Sequence, residues 1–367
     1  MVPGSSTLDS DCAALLCVGF HGTTPSPEVL ELIRRGVHGV ILFSRNVESA
    51  EQVAELTAAL KREAGRPLLV AVDQEGGRVA RLRAPQGFTE LPPMRALGDT
   101  RDPVLAREVG ELIGGELRAV GIDQDYAPVV DVDTNPANPV IGDRALSEKG
   151  EEVAEHGRAI IETLQADGIA SCGKHFPGHG DTSTDSHHTL PIVEHPPNRL
   201  RAVELVPFRE AIEAQVASIM TAHVLVPSLD DTRPASLSRT IVHDILREEL
   251  RFDGLIISDD LEMRAVAERY TLDQSAVLAV EAGCDAVLLC GADQERQAVA
   301  LEALVHAVES ERLSFKRIDD VLARHRRVRE RFAPGMLGWR PPSAAALGAA
   351  LGSDEHQAIA EEMRRYL

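Results

Sequence analysis

A chain of 367 residues with 44% hydrophobic content can bury a large core, and its length suits either one big barrel or two ordinary domains. A formal net charge of −20 repels polyanions and a 3% aromatic content leaves few stacking platforms, which excludes nucleic acid and anionic membrane surfaces as partners.

Residues 1–11 are polar, and the apolar stretch after them is short and lacks a basic leader. No run approaches the ~18 apolar residues of a membrane span, so a cytoplasmic protein without a cleaved signal is expected. Cys12, Cys17, Cys172, Cys284 and Cys290 stand in apolar, strand-like runs without metal-type spacing. They read as small buried hydrophobes of a reducing compartment.

Short runs rich in Val, Ile and Leu then alternate with amphipathic, charge-faced segments, the pattern of parallel strands covered by helices. The spacing predicts strands over 15–20, 39–43, 67–73, 125–131, 169–174, 218–223, 254–259 and 286–290. Helices are expected over 49–63, 103–120, 151–166, 237–250 and 293–309, from apolar positions at 3.6-type spacing. Ser236 or Ser238 is a candidate cap for the fourth of these, and Gly168 and Gly254 mark helix-to-strand turns. The Pro-rich stretch 334–342 ends the repeating pattern, and a last helix over about 354–365 packs outside it.

Eight strands suit a closed barrel, with an open doubly wound sheet as the competing architecture. The strand ends favour the barrel. Asp73, Asp131, Lys174 with His175, His223 and Asp259 each follow a different apolar run, and a closed ring brings all of them to one face. The expected fold is a single (β/α)8 barrel: one catalytic domain over 1–367, with a core over about 12–332 and a helical extension over 333–367.

Three segments carry chemistry. Residues 72–81 run from a strand into Asp73, Gln74, Glu75 and a Gly pair; no phosphate-loop pattern is present, and Asp73 is suited to gripping sugar hydroxyls, with Arg78 and Arg81 as either ligand contacts or ion pairs. Residues 174–188 hold four histidines, His175, His179, His187 and His188, with Asp181 and Asp185, in a loop made bendable by Pro177, Gly178 and Gly180. Packing alone does not call for such a set, and no helix-borne spacing fixes a metal sphere. Acid/base chemistry fits better: Asp185 can accept a ring N–H of His187, orient it and favour its cationic form. Residues 254–260 form a strand ending in Ser258, Asp259 and Asp260. Ser258 or Asp260 serves as a helix cap, while Asp259 sits where barrel enzymes place catalytic groups and can attack an anomeric carbon.

These segments resemble the bacterial β-N-acetylhexosaminidases of glycoside hydrolase family 3. The resemblance rests on VDQEGGRVARL (72–82), APVVDVDTNPANPVIGDR (127–144), KHFPGHGDTSTDSHHTLP (174–191), TAHV (221–224), RPAS (233–236) and ILREELRFDGLIISDDLEM (245–263), in family order. It implies Asp259 as nucleophile, His187 as acid/base and Asp185 as its partner. It further places Asp73, Arg81, Arg144, Lys174 and His175 at positions that hold the sugar hydroxyls. Glu262 and Leu146 depart from the family pattern beside the site, where a small residue and an aromatic are usual.

The implied activity is retaining exo-hydrolysis of terminal β-linked N-acetylglucosamine, from cell-wall muropeptide fragments or chitobiose-type sugars, with no metal or organic cofactor. The expected partner is a small carbohydrate substrate, with a monomer as a plausible state. Phosphorolysis by the same residues, a metal-dependent hydrolase using His175, His179, Asp185 and His187, and a catalytically dead sugar-binding barrel are the competing readings.

Overall fold

The computed structural model describes residues 5–183, 190–333 and 338–367. Eight parallel strands close into a barrel in sequence order: β1 Leu16–Val18, β2 Gly39–Leu42, β3 Leu69–Val72, β4 Gln124–Asp125, β5 Ala170–Phe176, β6 Ser218–Thr221, β7 Leu255–Asp260 and β8 Ala286–Leu289. Closure is made by β1 on β8, with Cys17 opposite Leu288. The open sheet is thereby set aside.

Side-chain alternation divides the core in two. Cys17, Ile41, Leu69, Ala71, Tyr126, Ala170, Cys172, Met220, Ile257 and Leu288 fill the barrel interior. Val18, Val40, Leu42, Val70, Val72, Ile219, Ile256 and Val287 point the other way, against the helices. Both faces are dry, so the strands read as continuous apolar runs. Val328 and Phe332 of the helix Phe315–Phe332 belong to the interior cluster and close the barrel at its N-terminal pole.

Two strand boundaries differ from expectation. The run 125–131 is a strand only over Gln124–Asp125, because Pro128 has no N–H to give to the ladder. Pairing resumes beyond it, where the Val130 N–H donates to the Lys174 carbonyl at 2.9 Å. β5, expected to end at Lys174, continues to Phe176; Lys174 pairs with Met220 and Phe176 with Thr221, so His175 sits in a bulge that re-aims its side chain.

Helix ends follow local chemistry. Ser49 accepts the Gln52 N–H at the start of Ala50–Ala64, and Asp293 accepts those of Glu295 and Arg296 before Gln294–Glu309. Ser238 Oγ takes the Ile241 N–H at 3.4 Å ahead of the π-helical segment Thr240–Glu249. Gly168, at φ +81°, turns the chain from Gly150–Ala166 into β5. After the barrel come Ala344–Ala350, which the sequence pattern did not suggest, and Asp354–Arg364.

Candidate active site

The strand C-termini open onto a cavity of about 340 Å³. Of the residues singled out from sequence, Asp73, Arg81, Arg144, Lys174, His175 and Asp259 all line it. Asp185 and His187, the expected acid/base pair, lie outside the described residues. Arg78 does not reach the cavity wall: it pairs with Asp143 at 3.2 Å and donates to the Val140 and Ile141 carbonyls, strapping one loop to another.

One side of the cavity is a charge lattice. Lys174 Nζ lies 2.9 Å from Asp73 and 2.5 Å from Glu75. Arg144 grips both oxygens of Glu75 at 2.8 Å, and Arg81 reaches Asp73 at 3.1 Å. Burial on its own raises the carboxyls of Asp73 and Glu75, but the adjoining Lys174 with Arg81 or Arg144 outweighs it and holds both below the usual carboxylate range. Burial likewise opposes the charge on Lys174, and the two carboxylates beside it raise its affinity for the proton overall. Two carboxylates and three cations thus sit ionised and pre-aimed, presenting donors and acceptors suited to neighbouring hydroxyls.

His175 is steered from behind. Its Nδ1 lies 2.7 Å from Asp131, whose oxygens also accept the His175 and His179 N–H groups. With the carboxylate accepting, Nδ1 carries the hydrogen and Nε2 is the ring's remaining polar atom. His179 turns its Nδ1 to Thr182 at 2.8 Å, and burial pushes its pKa down to about 4. Among the described residues, no group of three or more His, Cys, Asp or Glu side chains is arranged to hold a metal ion.

Across the cavity, β7 ends in two carboxylates with opposite environments. Burial raises Asp259, yet His223, His175, Lys174 and the Asp260 N–H, which donates at 2.8 Å, hold it below the usual range. Asp260 is pushed up to about 7 by burial, with Glu262 and Asp259 adding to the rise, although it accepts the Cys290 and Glu262 N–H groups at 3.1 Å. His223 accounts for part of the difference. It donates from Nε2 to the Asp260 carbonyl at 2.9 Å, and its Nδ1 lies 2.7 Å from the Ser236 hydroxyl. An ionised Asp259 can attack an electrophilic carbon, and a neighbour whose pKa is pushed up resists placing a second charge beside it.

The sequence did not single out Glu75 as a ligand-shell residue, nor Phe43, Met220 and Cys290, which also line the cavity. Phe43 is capped by two guanidiniums, Arg45 at 4.5 Å and Arg81 at 5.2 Å from the ring centroid. Glu262 accepts from the Gly291 N–H at 2.6 Å and from Arg296 at 2.7 Å. It therefore pins the loop after β8.

The glycosyl hydrolase family 3 N-terminal domain model matches residues 7–328. A β-hexosaminidase of Nitrosomonas eutropha is 43% identical over 282 residues, 75% of this chain and 80% of its own. The family 3 β-N-acetylglucosaminidase of Paenibacillus sp. str. FPU-7 superposes with a TM-score of 0.93 at 42% identity, over 98% of this chain and 68% of that one. NagZ of Neisseria gonorrhoeae, solved with N-trifluoroacetyl-D-glucosamine, gives 0.78 at 32% identity, over 96% and 97%. With the barrel, the strand-end carboxylates and these matches in agreement, the chain belongs to glycoside hydrolase family 3, alongside its β-hexosaminidases.

Proposed function

We propose that the chain is a retaining, exo-acting β-N-acetylhexosaminidase that releases terminal β-linked N-acetylglucosamine. The observation that carries this is Asp259, held ionised in a cavity whose facing side is the Asp73, Glu75, Arg81, Arg144 and Lys174 lattice. A pocket at the strand ends, rather than a long groove, fits the end of a chain better than its middle.

In this reading the lattice and His175 grip the hydroxyls of the terminal sugar, and Asp259 attacks the anomeric carbon. His187, oriented by Asp185, gives a proton to the departing oxygen, then takes one from the water that breaks the glycosyl ester. Configuration is retained after two inversions. The aglycone is a muropeptide fragment or a second N-acetylglucosamine. The N. gonorrhoeae neighbour supports an N-acylated glucosamine, since its ligand carries one. Five free cysteines support a cytoplasmic setting. Residues 5–367 are further proposed to form one folding unit, because Leu347, Leu351, Ala360 and Met363 join the main core and Glu116 binds both Gly352 and His356.

An activated fluoro-sugar of the N-acetylglucosamine series tests the nucleophile. The expected product is a covalent adduct on the peptide of Asp259; mapping to Asp260, or no adduct despite turnover, overturns the assignment.

A further inference from the structure

Asp131 is fully buried and does not line the cavity, yet several donors converge on its side chain. Oδ1 accepts the His179 N–H at 2.7 Å and the His175 N–H at 3.1 Å. Oδ2 lies 2.7 Å from His175 Nδ1 and 3.2 Å from the His175 backbone nitrogen. The bulge at His175 takes that N–H out of the barrel ladder and turns it to the carboxylate. Asp131 is fixed in turn by the residue before it, since the Val130 N–H donates to the Lys174 carbonyl. Burial opposes a charge on Asp131, but the facing His175 and His179 hold its carboxyl below the usual carboxylate range.

This arrangement fixes more than the direction of a ring. The two backbone N–H groups on Oδ1 leave Oδ2 to face the imidazole, and a carboxylate can only accept. A neutral His175 must then carry its hydrogen on Nδ1, which leaves Nε2 as a lone-pair acceptor at the cavity wall. Donors are already plentiful there, in Lys174, Arg81 and Arg144, while the acceptors Asp73 and Glu75 are engaged by those same cations. Nε2 is an uncharged acceptor with no hydrogen bond from the described residues.

We infer that Asp131 is a positioning residue that sets the direction of one hydrogen bond to substrate: it holds His175 in the tautomer whose Nε2 accepts, so the site demands a sugar hydroxyl able to donate at that point. The inference deepens the hydroxyl-gripping role proposed above for His175 and rests on it, whereas the tautomer itself can be read without substrate. Asp131→Asn keeps the shape and inverts the logic. Its carbonyl oxygen belongs at Oδ1, because the reverse placement turns an NH2 towards two N–H donors. The NH2 then faces Nδ1, and the ring can meet it only by moving its hydrogen to Nε2.

The first test is ring-nitrogen NMR of histidine-labelled protein at pH 8, above the ordinary imidazole range, with His175 assigned by its loss in His175→Gln. The hydrogen should sit on Nδ1 in the parent and on Nε2 in Asp131→Asn. Hydrogen on Nε2 of the parent, alone or together with Nδ1, overturns the inference whether or not the variant folds. The second test uses aryl β-N-acetylglucosaminides in which each hydroxyl is replaced in turn by fluorine, which cannot donate. Each compound is compared between variant and parent, so that the inductive effect of fluorine cancels. Asp131→Asn should lower kcat/KM for the unmodified glycoside roughly 10–100-fold, the scale of a donor left facing a donor. For one fluoro derivative the loss should shrink to no more than about threefold, because the hydroxyl that met Nε2 is already gone. Equal losses across the series would show that Asp131 serves only the fold, and would overturn the inference. If the folded parent turns over none of these glycosides, the functional reading fails and takes the substrate half of the inference with it, while the NMR result still decides the tautomer.

Discussion

The two poles of the barrel both bury carboxylates among cations, but they use them differently. At the N-terminal pole Asp285, fully buried, meets Arg247 at 2.6 Å, Arg317 at 3.1 Å and Arg324 at 3.3 Å, and accepts the Ile256 N–H at 3.0 Å. Asp123 repeats the pattern with Lys61 at 2.9 Å and the Val70 N–H at 3.0 Å. Each of these aspartates ties a strand start to its neighbour and is itself fully buried. At the C-terminal pole the same ingredients surround an open cavity, so part of each group's hydrogen-bonding capacity faces the space a ligand would fill. A buried charge network is therefore no sign of function on its own; what separates the two is an unfilled side.

That contrast is broken if the poles respond alike to loss of one carboxylate. Asp259→Ala should cut turnover on the order of 10⁴–10⁶-fold, the scale of a deleted nucleophile, with an unfolding midpoint close to that of the parent. Asp285→Ala should do the reverse. It strands three arginines at one buried site, so denaturant unfolding should show a loss of about 3–5 kcal/mol, while kcat of the folded fraction stays near the parent value. A stable Asp285→Ala protein with crippled kcat would mean that the lower pole is coupled to the chemistry.

A smaller effect sharpens the picture at the upper pole. Glu75→Gln keeps the shape of the side chain but removes the charge that Lys174 and Arg144 share. If the lattice grips hydroxyls equally in the ground and transition states, KM should rise with kcat little altered, lowering kcat/KM roughly 10–100-fold. A fall in kcat alone, at unchanged KM, would show that the lattice acts chiefly in the transition state.

Much of this is legible in the amino-acid sequence alone. Strand positions could be read because both faces are dry, which writes each strand as an unbroken apolar run, and the cavity residues could be read because each ends such a run in a polar side chain. Asp73, Lys174, His175 and Asp259 all carry that signature. Glu75 lacks it: it lies past the strand, ahead of two glycines with left-handed backbone, and its main partner, Arg144, is distant in sequence, so no local periodicity joins them. The role of His223 was hidden for a similar reason. Its place after an apolar run was visible, but its bond to the Asp260 carbonyl depends on how β6 and β7 pair. The early end of β4 could have been anticipated from Pro128, which a reading based on hydrophobicity alone passes over.

The smallest expected effect concerns the carboxylate beside Asp259, the proposed nucleophile. Asp260 is pushed up to about 7 in the folded chain, chiefly by burial, against an ordinary value of 3.8. Between those two values the folded protein holds a proton that the unfolded chain has released. Stability linked to this group is therefore greatest at low pH and is lost as pH rises through the window towards 7. This is the opposite sense to Asp259 and Asp73, whose lowered pKa values contribute stability above the ordinary carboxylate range that is lost on acidification. Asp260→Asn keeps an oxygen able to accept the Cys290 and Glu262 N–H groups but never ionises. The Tm of this variant relative to the parent should climb between pH 5 and pH 8. A difference that stays flat across that range would show that Asp260 is already ionised at pH 5, and the two strand-end carboxylates would then be equal candidates for the attacking group.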